Sequence, residues 1–276
     1  AESGRNISVL NFAEDGLQQT PALFFLHGAG LNAHTFDPTI LAMGRSAYSI
    51  DLPGHGKSQW REDATYSPFT LAADVASVVS QISSSPVNLV GHSLGGLTAA
   101  EIVAETPELV NKLVVLDITP GLIPKQDASS INEFITGQRD FSSIEEIVDR
   151  AVSFGIGTDR SALRRGVTLN TRIKPDGRYE WTHHLAHLDG LQSTAQMSTS
   201  IKKPFAQLWD PLTTLRGSLA LIRGTEGLVS NEMTQEWCNL LPEAAVVTIA
   251  GGHNLHEHNP KKLAENIIKI VESETI

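Results

Sequence analysis

The pentapeptide Gly91-His92-Ser93-Leu94-Gly95 restricts the possible folds of this chain more than any other feature of the sequence. It follows a short apolar run at residues 87–90 and precedes an alanine-rich, helix-like stretch at residues 97–105. A serine on a sharp turn between a strand and a helix has strained backbone torsions and leaves little room for neighbouring side chains. Glycines two residues before and two residues after Ser93 provide that room. The pattern predicts a strand–turn–helix unit that presents Ser93 as a nucleophile.

Short apolar runs alternate with helix-like stretches over most of the chain. The candidate strands are residues 7–12, 22–26, 47–51, 87–90, 113–116, 219–223 and 245–249. The candidate helices on either side of the middle segment are residues 71–82, 97–105, 231–241 and 260–271. This alternation is typical of βα units around a parallel sheet. The sequence therefore predicts an α/β fold with a mostly parallel sheet.

The alternation stops between residues 121 and 204. This segment has helical stretches at residues 129–136, 144–154 and 161–169 but no strong strand pattern. It holds 11 of the 21 Lys and Arg residues and 10 of the 31 Asp and Glu residues, so it is nearly neutral while the remainder is strongly acidic. We expect a core formed by residues 1–120 and 205–276, interrupted by a helical cap at residues 121–204.

The composition restricts the partners and the location of the protein. A chain with 41% apolar and 19% charged residues can bury a large core, and its net charge of −10 argues against nucleic acid as a partner. No apolar run reaches the roughly 18–20 residues that cross a bilayer, so no membrane association is expected. The polar start of the sequence and the lone cysteine, Cys238, favour a cytoplasmic location.

A base for Ser93 is expected in the segment Gly251-Gly252-His253, which lies between the last candidate strand and the last candidate helix. His253 follows Ser93 by 160 residues, and a glycine pair before it lets the loop return to the carboxyl edge of the sheet. His256 and His258 are interpreted as surface residues. His92 is interpreted as a packing residue that faces away from the nucleophile.

Four motifs, taken in order, resemble the serine-hydrolase branch of the α/β-hydrolase family. They are His27-Gly28-Ala29-Gly30, the segment at residues 51–58, the glycine-rich turn at residues 91–96 and Gly251-Gly252-His253. The resemblance covers nearly all 276 residues. It implies a mostly parallel eight-stranded sheet flanked by helices, with a helical cap inserted after strand 6. It also implies an oxyanion hole formed by the backbone N–H groups of Ala29 and Leu94, and it requires no cofactor and no metal.

The acid of the expected triad departs from the family pattern. Members commonly place an aspartate after strand 7 in a Gly-x-x-Asp turn, but the corresponding turn here is Gly224-Thr225-Glu226-Gly227. Asp117 ends the candidate strand at residues 113–116, and some family members take their acid from that place. We favour Asp117, with Glu226 as the alternative and the lack of any acid as a third possibility.

Several residues of the expected cap, and one outside it, are further candidates for binding or packing roles. Arg139, Arg164 and Trp181 are candidate substrate contacts, because an arginine could bind an anionic group such as a carboxylate. The histidines at positions 183, 184 and 187 lack a carboxylate or cysteine to complete a metal site, so no metal is predicted. Cys238 is expected to be a packed small residue in a helix.

The sequence predicts a serine hydrolase that cleaves a small-molecule ester or related acyl compound through an acyl-enzyme. Three alternatives stay open. The same residues could serve a carbon–carbon bond hydrolase acting on a carboxylate-bearing ketone, or a cofactor-free oxygenase of the same fold. A small-molecule receptor with vestigial hydrolysis is the third. We expect a monomer or a homodimer.

Overall fold

The computed structural model describes residues 1, 3–12, 21–123, 128–188, 203–215 and 218–273. Its main sheet has seven strands in the order β1-β3-β2-β4-β5-β9-β10. The first five are β1 (Val9–Asn11), β2 (Leu23–Leu26), β3 (Tyr48–Ile50), β4 (Val87–His92) and β5 (Val110–Leu116). The last two are β9 (Leu219–Glu226) and β10 (Ala245–Gly252). Only β1 runs antiparallel to its neighbour, which confirms the predicted mostly parallel sheet.

The predicted number of eight strands is corrected to seven in the described part of the chain. The antiparallel strand β1, at the edge of the sheet, forms from the run predicted at residues 7–12. Before β1, residues 3–8 form a turn and extended coil without strand pairing.

Ten α-helices accompany the strands in the described residues. Outside the middle segment they are α1 (Asp37–Met43), α2 (Pro68–Ile82), α3 (Leu94–Glu105), α7 (Trp209–Leu212), α8 (Asn231–Leu240), α9 (Leu255–His258) and α10 (Pro260–Glu272). Between β5 and β9 they are α4 (Ser129–Thr136), α5 (Ile144–Ser153) and α6 (Arg160–Asn170). No helix in the described ranges is long and apolar enough to span a membrane.

Side chains of the central strands alternate between two apolar layers, as the two-residue period of a strand requires. In β2, Phe24 and Leu26 pack with α2 and α3 on one face, while Leu23 and Phe25 pack with α1 and α10 on the other. The side chains of β5 and β9 alternate between the same two apolar layers. Because both faces of the sheet are covered, residues 113–116 of β5 and 219–222 of β9 are continuous apolar runs, which made these strands visible in the sequence.

The segment between β5 and β9 has a core of its own. Its buried side chains come from α5, α6 and the adjoining strands and include Phe141, Ile147, Leu163 and Trp181. It also contains a three-stranded antiparallel sheet, in the order β6-β8-β7, that the sequence analysis did not predict. Its strands are β6 (Asp140–Phe141), β7 (Thr171–Ile173) and β8 (Tyr179–Trp181). Strands of two or three residues are too short to show an alternating pattern.

Two groups of contacts attach this segment to the rest of the chain. On one side, the Asn32 amide donates to the carbonyl of Leu169 at 2.7 Å and to Asn170 Oδ1 at 2.8 Å. On the other side, the His184 N–H donates to the carbonyl of Gly54 at 2.8 Å, and the His184 ring stacks on Trp60 with centroids 4.1 Å apart. The segment is therefore fixed over the carboxyl edge of the sheet at two separate places.

Candidate active site

Ser93 occupies the turn between β4 and α3 with φ +52° and ψ −119°, a conformation that non-glycine residues rarely adopt. A Cβ atom on Gly91 would lie 2.5 Å from the carbonyl oxygen of Gly95. A Cβ atom on Gly95 would lie 2.3 Å from the carbonyl oxygen of Leu26. The two glycines of the pentapeptide are thus required by close backbone contacts, for the steric reason expected from the sequence.

The structure brings His253 and Asp117 into direct contact. His253 Nδ1 lies 2.8 Å from Asp117 Oδ2, and the aspartate side chain is fully buried at the end of β5. Backbone N–H groups fix both carboxylate oxygens, since Gly224 donates to Oδ1 at 2.9 Å and Leu228 donates to Oδ2 at 2.6 Å. The carboxylate therefore holds one orientation, in which it accepts the Nδ1 proton of His253 and leaves Nε2 available.

Gly227 explains the departure from the family pattern. A Cβ atom at position 227 would lie 2.2 Å from both carboxylate oxygens of Asp117. The Asp117 side chain thus fills the space that a side chain at position 227 would need. Glu226, the alternative acid, is exposed at the end of β9, and none of the described hydrogen bonds joins it to His253.

His92 does not face away from the site, contrary to the prediction. Its ring packs on His253 with centroids 4.5 Å apart, and its Nε2 lies 3.1 Å from the carbonyl oxygen of His253. Burial holds the pKa of His92 well below 6.5, so the neutral ring donates this hydrogen bond. His92 therefore supports the backbone of His253, and its position beside Ser93 in a buried motif was the signal available in the sequence.

His256 is also corrected, because it is buried rather than on the surface. It lies in the single turn α9 that follows His253, and the edge of its ring contacts His92 and Phe36. His258, in the same turn, is half-buried next to Gly252. A one-turn helix is too short for a periodic pattern, so the sequence did not indicate which of its faces is buried.

The loop after β2 is held against Ser93 by His27. The N–H of Leu52 donates to His27 Nε2 at 2.9 Å, so the proton of this ring is on Nδ1 and is donated to the carbonyl of Gly28 at 2.8 Å. Burial lowers the pKa of His27 to about 4, which keeps the ring neutral. A Cβ atom on Gly28 would lie 3.2 Å from the Cβ of Ser93. Ala29 is thereby placed on the wall of the same cavity as Ser93.

Two backbone N–H groups at the site have no described acceptor. Leu94 is the first residue of α3, and the N–H groups of Gly96 and Leu97 donate to the carbonyl of Ser93. Within the described residues, no hydrogen bond uses the N–H of Leu94 or of Ala29. A helix N-terminus with a free N–H favours negative charge, so this corner of the cavity can stabilise an oxyanion.

A cavity of about 370 Å³ opens over Ser93 and His253. Its far wall comes from α4 and the loop that follows α5, and most of its larger side chains are apolar. They are Leu31, Ile131, Phe134, Ile135, Phe154, Ile156 and Leu228. None of these residues was predicted to line a site, although the spacing of the three in α4 is that of one helix face. The cavity can bind an apolar group next to the nucleophile.

The three candidate substrate contacts of the expected cap lie elsewhere. Trp181 is buried in the core of the inserted segment, where its indole N–H donates to the carbonyl of Gln138 at 3.2 Å. Arg164 is exposed and pairs with Glu145 at 2.6 Å, and Arg139 donates to the carbonyl of Leu188 at 3.0 Å. None of the three is among the described residues that line the cavity over Ser93. The expectation that they contact substrate is therefore corrected.

Cys238 and the three histidines of the segment between β5 and β9 lie in or next to helices. Cys238 lies in a helix as predicted, but it is exposed rather than packed. His184 and His187 bound a short 3₁₀ helix whose N-cap is His183. The described residues contain no group of three or more histidine, cysteine or acidic side chains that could hold a metal ion.

Acidic pH is expected to destabilise the fold because buried imidazoles stay neutral. Burial lowers the pKa of His27 to about 4 and those of His55 and His256 to about 3, so protons bind first to the unfolded chain as the pH falls below 6.5. Burial raises the pKa of Glu257 to about 7, which has the opposite sign and offsets part of the effect. His92 contributes with the same sign, so we expect a net loss of at least about 3 kcal/mol between pH 7 and pH 5. Urea midpoints at the two values would test this, and an unchanged midpoint would contradict it.

Comparison with known proteins gives matches over nearly the whole chain. Residues 23–266 match the model of the alpha/beta hydrolase family. Esterase Rv0045c of Mycobacterium tuberculosis is 32% identical over 261 residues, which are 92% of this chain and 83% of that protein. The sn-1-specific diacylglycerol lipase ABHD11 of Mus musculus is 27% identical over 271 residues, which are 92% of this chain and 81% of that protein. A solved structure of the M. tuberculosis esterase gives a TM-score of 0.79 at 31% identity and covers 98% of this chain and 91% of its own.

Proposed function

The chain belongs to the alpha/beta hydrolase family and is a serine hydrolase that acts on esters, and on that premise we propose that Ser93, His253 and Asp117 form its catalytic triad. The observation that carries the proposal is the shared cavity. Ser93 and His253 line one wall of it, and Asp117 lies directly behind His253. The order serine, acid, histidine along the chain is that of the family.

The proposed reaction proceeds through an acyl-enzyme. Ser93 Oγ attacks the ester carbonyl carbon while His253 Nε2 takes the hydroxyl proton. The carbonyl electrons move to the oxygen, which accepts hydrogen bonds from the N–H groups of Ala29 and Leu94. When the tetrahedral intermediate collapses, the bond to the alcohol breaks and His253 returns the proton to the alcohol oxygen. Water then repeats the sequence on the acyl-enzyme and releases the acid.

Asp117 keeps its negative charge throughout this sequence. It accepts the Nδ1 proton of His253, which fixes the tautomer and the ring orientation, and it stabilises the imidazolium that forms twice in each cycle. The N–H groups of Gly224 and Leu228 hold the carboxylate in place. The reaction needs no cofactor and no metal ion.

Residues 121–204 are proposed to act as the cap of this site. Helix α4 and the loop after α5 supply the apolar wall opposite Ser93, and contacts at Asn32 and Gly54 hold the segment in position. We therefore propose that the acyl chain of the substrate is apolar and lies against Phe134 and its neighbours. The described cavity walls carry no arginine or lysine, which disfavours the carboxylate-bearing ketone considered among the alternatives.

Two further parts of the proposal concern the setting of the enzyme. One chain supplies Ser93, His253 and Asp117, so the proposed triad needs no residue from a second copy, and we propose a monomer or a homodimer. The exposed thiol of Cys238 supports a reducing compartment such as the cytoplasm.

The proposal is tested with p-nitrophenyl esters from acetyl to octanoyl, together with a fluorophosphonate probe. We expect turnover of at least the shorter esters, with kcat/KM rising with chain length until the cavity is full. Mass spectrometry of the labelled protein should place the phosphonyl group on the peptide containing Ser93. Labelling of another residue, or hydrolysis that persists after complete labelling, would contradict the proposed nucleophile.

A further inference from the structure

Glu226 has no part in the triad, yet it lies at the cavity. Among the described residues that line the cavity, it is the one acidic or basic side chain other than histidine. It ends β9, and its Cα pairs with that of Gly252, the residue before His253. The carboxylate is therefore placed on the same side of the cavity as the base.

The charge of Glu226 is not neutralised within the described structure. The residue is exposed, and none of the described ion pairs or hydrogen bonds involves its carboxylate. Arg223, the nearest basic residue on β9, donates instead to Asn231 Oδ1 at 2.9 Å and to Thr234 Oγ1 at 2.7 Å. The other titratable groups that line the cavity are His92, His253 and His258.

The reaction geometry determines which part of a substrate meets this charge. His253 must protonate the oxygen of the departing alcohol, so the alcohol leaves on the side of His253. The apolar wall from α4 lies across the cavity and suits the acyl chain. The alcohol group of a bound ester is thus the part that approaches Glu226.

We propose that Glu226 determines specificity for the alcohol part of the substrate, favouring esters whose alcohol carries a positive charge. The substrate class is an apolar acyl chain on an aminoalkyl or quaternary ammonium alcohol. This inference rests on the proposed function of Ser93 and His253. It reverses the charge preference expected from the cap arginines, because the charge that lines the cavity is negative.

The proposal is tested with two butyrate esters of nearly equal shape. Butyrylcholine carries a quaternary ammonium group, and 3,3-dimethylbutyl butyrate carries a neutral tert-butyl group in its place. The measured quantity is the ratio of their kcat/KM values in the wild type, Glu226→Gln and Glu226→Lys. Glu243→Gln is the control, because it removes an exposed carboxylate that does not line the cavity.

We expect the ratio of kcat/KM for butyrylcholine to kcat/KM for the neutral ester to fall about two- to fivefold in Glu226→Gln, the range for one exposed charge pair. The ratio should fall further in Glu226→Lys. The ratio should be unchanged in Glu243→Gln. In the wild type it should decrease as salt is raised from about 0.05 M to 0.5 M, because ions screen exposed charges. A ratio that is the same in all four proteins, or insensitive to salt, would overturn the role of Glu226.

The neutral ester separates this inference from the function on which it rests. Its hydrolysis should require Ser93 and should be similar in the wild type and the control Glu243→Gln. If the neutral ester is cleaved and only the ratio fails to change, the inference about Glu226 is wrong and the proposed function stands. If the wild type cleaves neither ester, or if cleavage survives Ser93→Ala, the proposed function is wrong and the inference falls with it.

Discussion

Replacement of Ser93 by alanine is expected to lower kcat/KM for ester hydrolysis by about 10⁵-fold, since it removes the atom that forms the acyl-enzyme. Alanine has the same Cβ as serine, so the strained φ of +52° is no worse in the variant. The fold should therefore persist, with an unchanged urea midpoint. Steady-state kinetics on a p-nitrophenyl ester measures the effect. Ser80→Ala, on the exposed side of α2, is the matched control and should keep full activity.

A second substitution distinguishes loss of the nucleophile from general damage to the site. In a triad the members act as a unit, so adding His253→Ala to Ser93→Ala should cost little more than the first substitution alone. Residual activity in both variants would come from the oxyanion N–H groups and substrate binding. A further loss of several orders of magnitude on adding His253→Ala would show that the two residues act independently and would contradict the mechanism.

The sequence carried enough information for the core of the site because close approach and spacing leave strong signals. At Gly91 and Gly95, on either side of Ser93, a Cβ atom would lie only 2.3–2.5 Å from a backbone carbonyl oxygen, and this lack of space restricts the residue type itself. Asp117 could be favoured because position 227 holds glycine, and the structure supplies the reason in the carboxylate that fills this space. Buried parts of the strands, such as residues 113–116 in β5 and 219–222 in β9, were visible as continuous apolar runs.

The contribution of the segment between β5 and β9 to the site could not be predicted from composition alone. Arg164 and Trp181 are residue types that often bind ligands. Arg164 instead forms an ion pair with Glu145, and Trp181 packs in the core of that segment. Whether an arginine faces a cavity or solvent depends on how its helix rotates against the core. That rotation is fixed by contacts between distant residues, such as those of Asn32 with Asn170, and these have no local sequence pattern.

Asp117→Asn is expected to lower kcat by about 10⁴-fold, whereas Glu226→Gln should leave the hydrolysis of neutral esters nearly unchanged. An asparagine amide in this place would direct its NH₂ group at a backbone donor in either orientation, at Gly224 on one side or Leu228 on the other. With the NH₂ group toward Leu228, His253 also loses the acceptor that fixes its tautomer. With the NH₂ group toward Gly224, the acceptor remains but is neutral and no longer stabilises the imidazolium. Kinetics on 3,3-dimethylbutyl butyrate compares the two variants, and the reverse order of effects would assign the acid to Glu226.

Moving the acid from the end of β5 to the turn that follows β9 gives a stricter test. Gly227→Asp alone should be strongly impaired, because its Cβ would lie 2.2 Å from the Asp117 carboxylate and two negative charges would adjoin. Asp117→Gly alone should lose the acid but tolerate the φ of +48°. The double variant places an aspartate where other family members have it, in space that Asp117 has vacated. We expect the kcat of the double variant to be at least about tenfold higher than that of either single variant, since the effects of substitutions at residues in direct contact are not additive. If the fold-losses in kcat of the two single variants multiply in the double variant, an aspartate at position 227 does not replace the carboxylate of Asp117, and the proposed placement of the acid is contradicted.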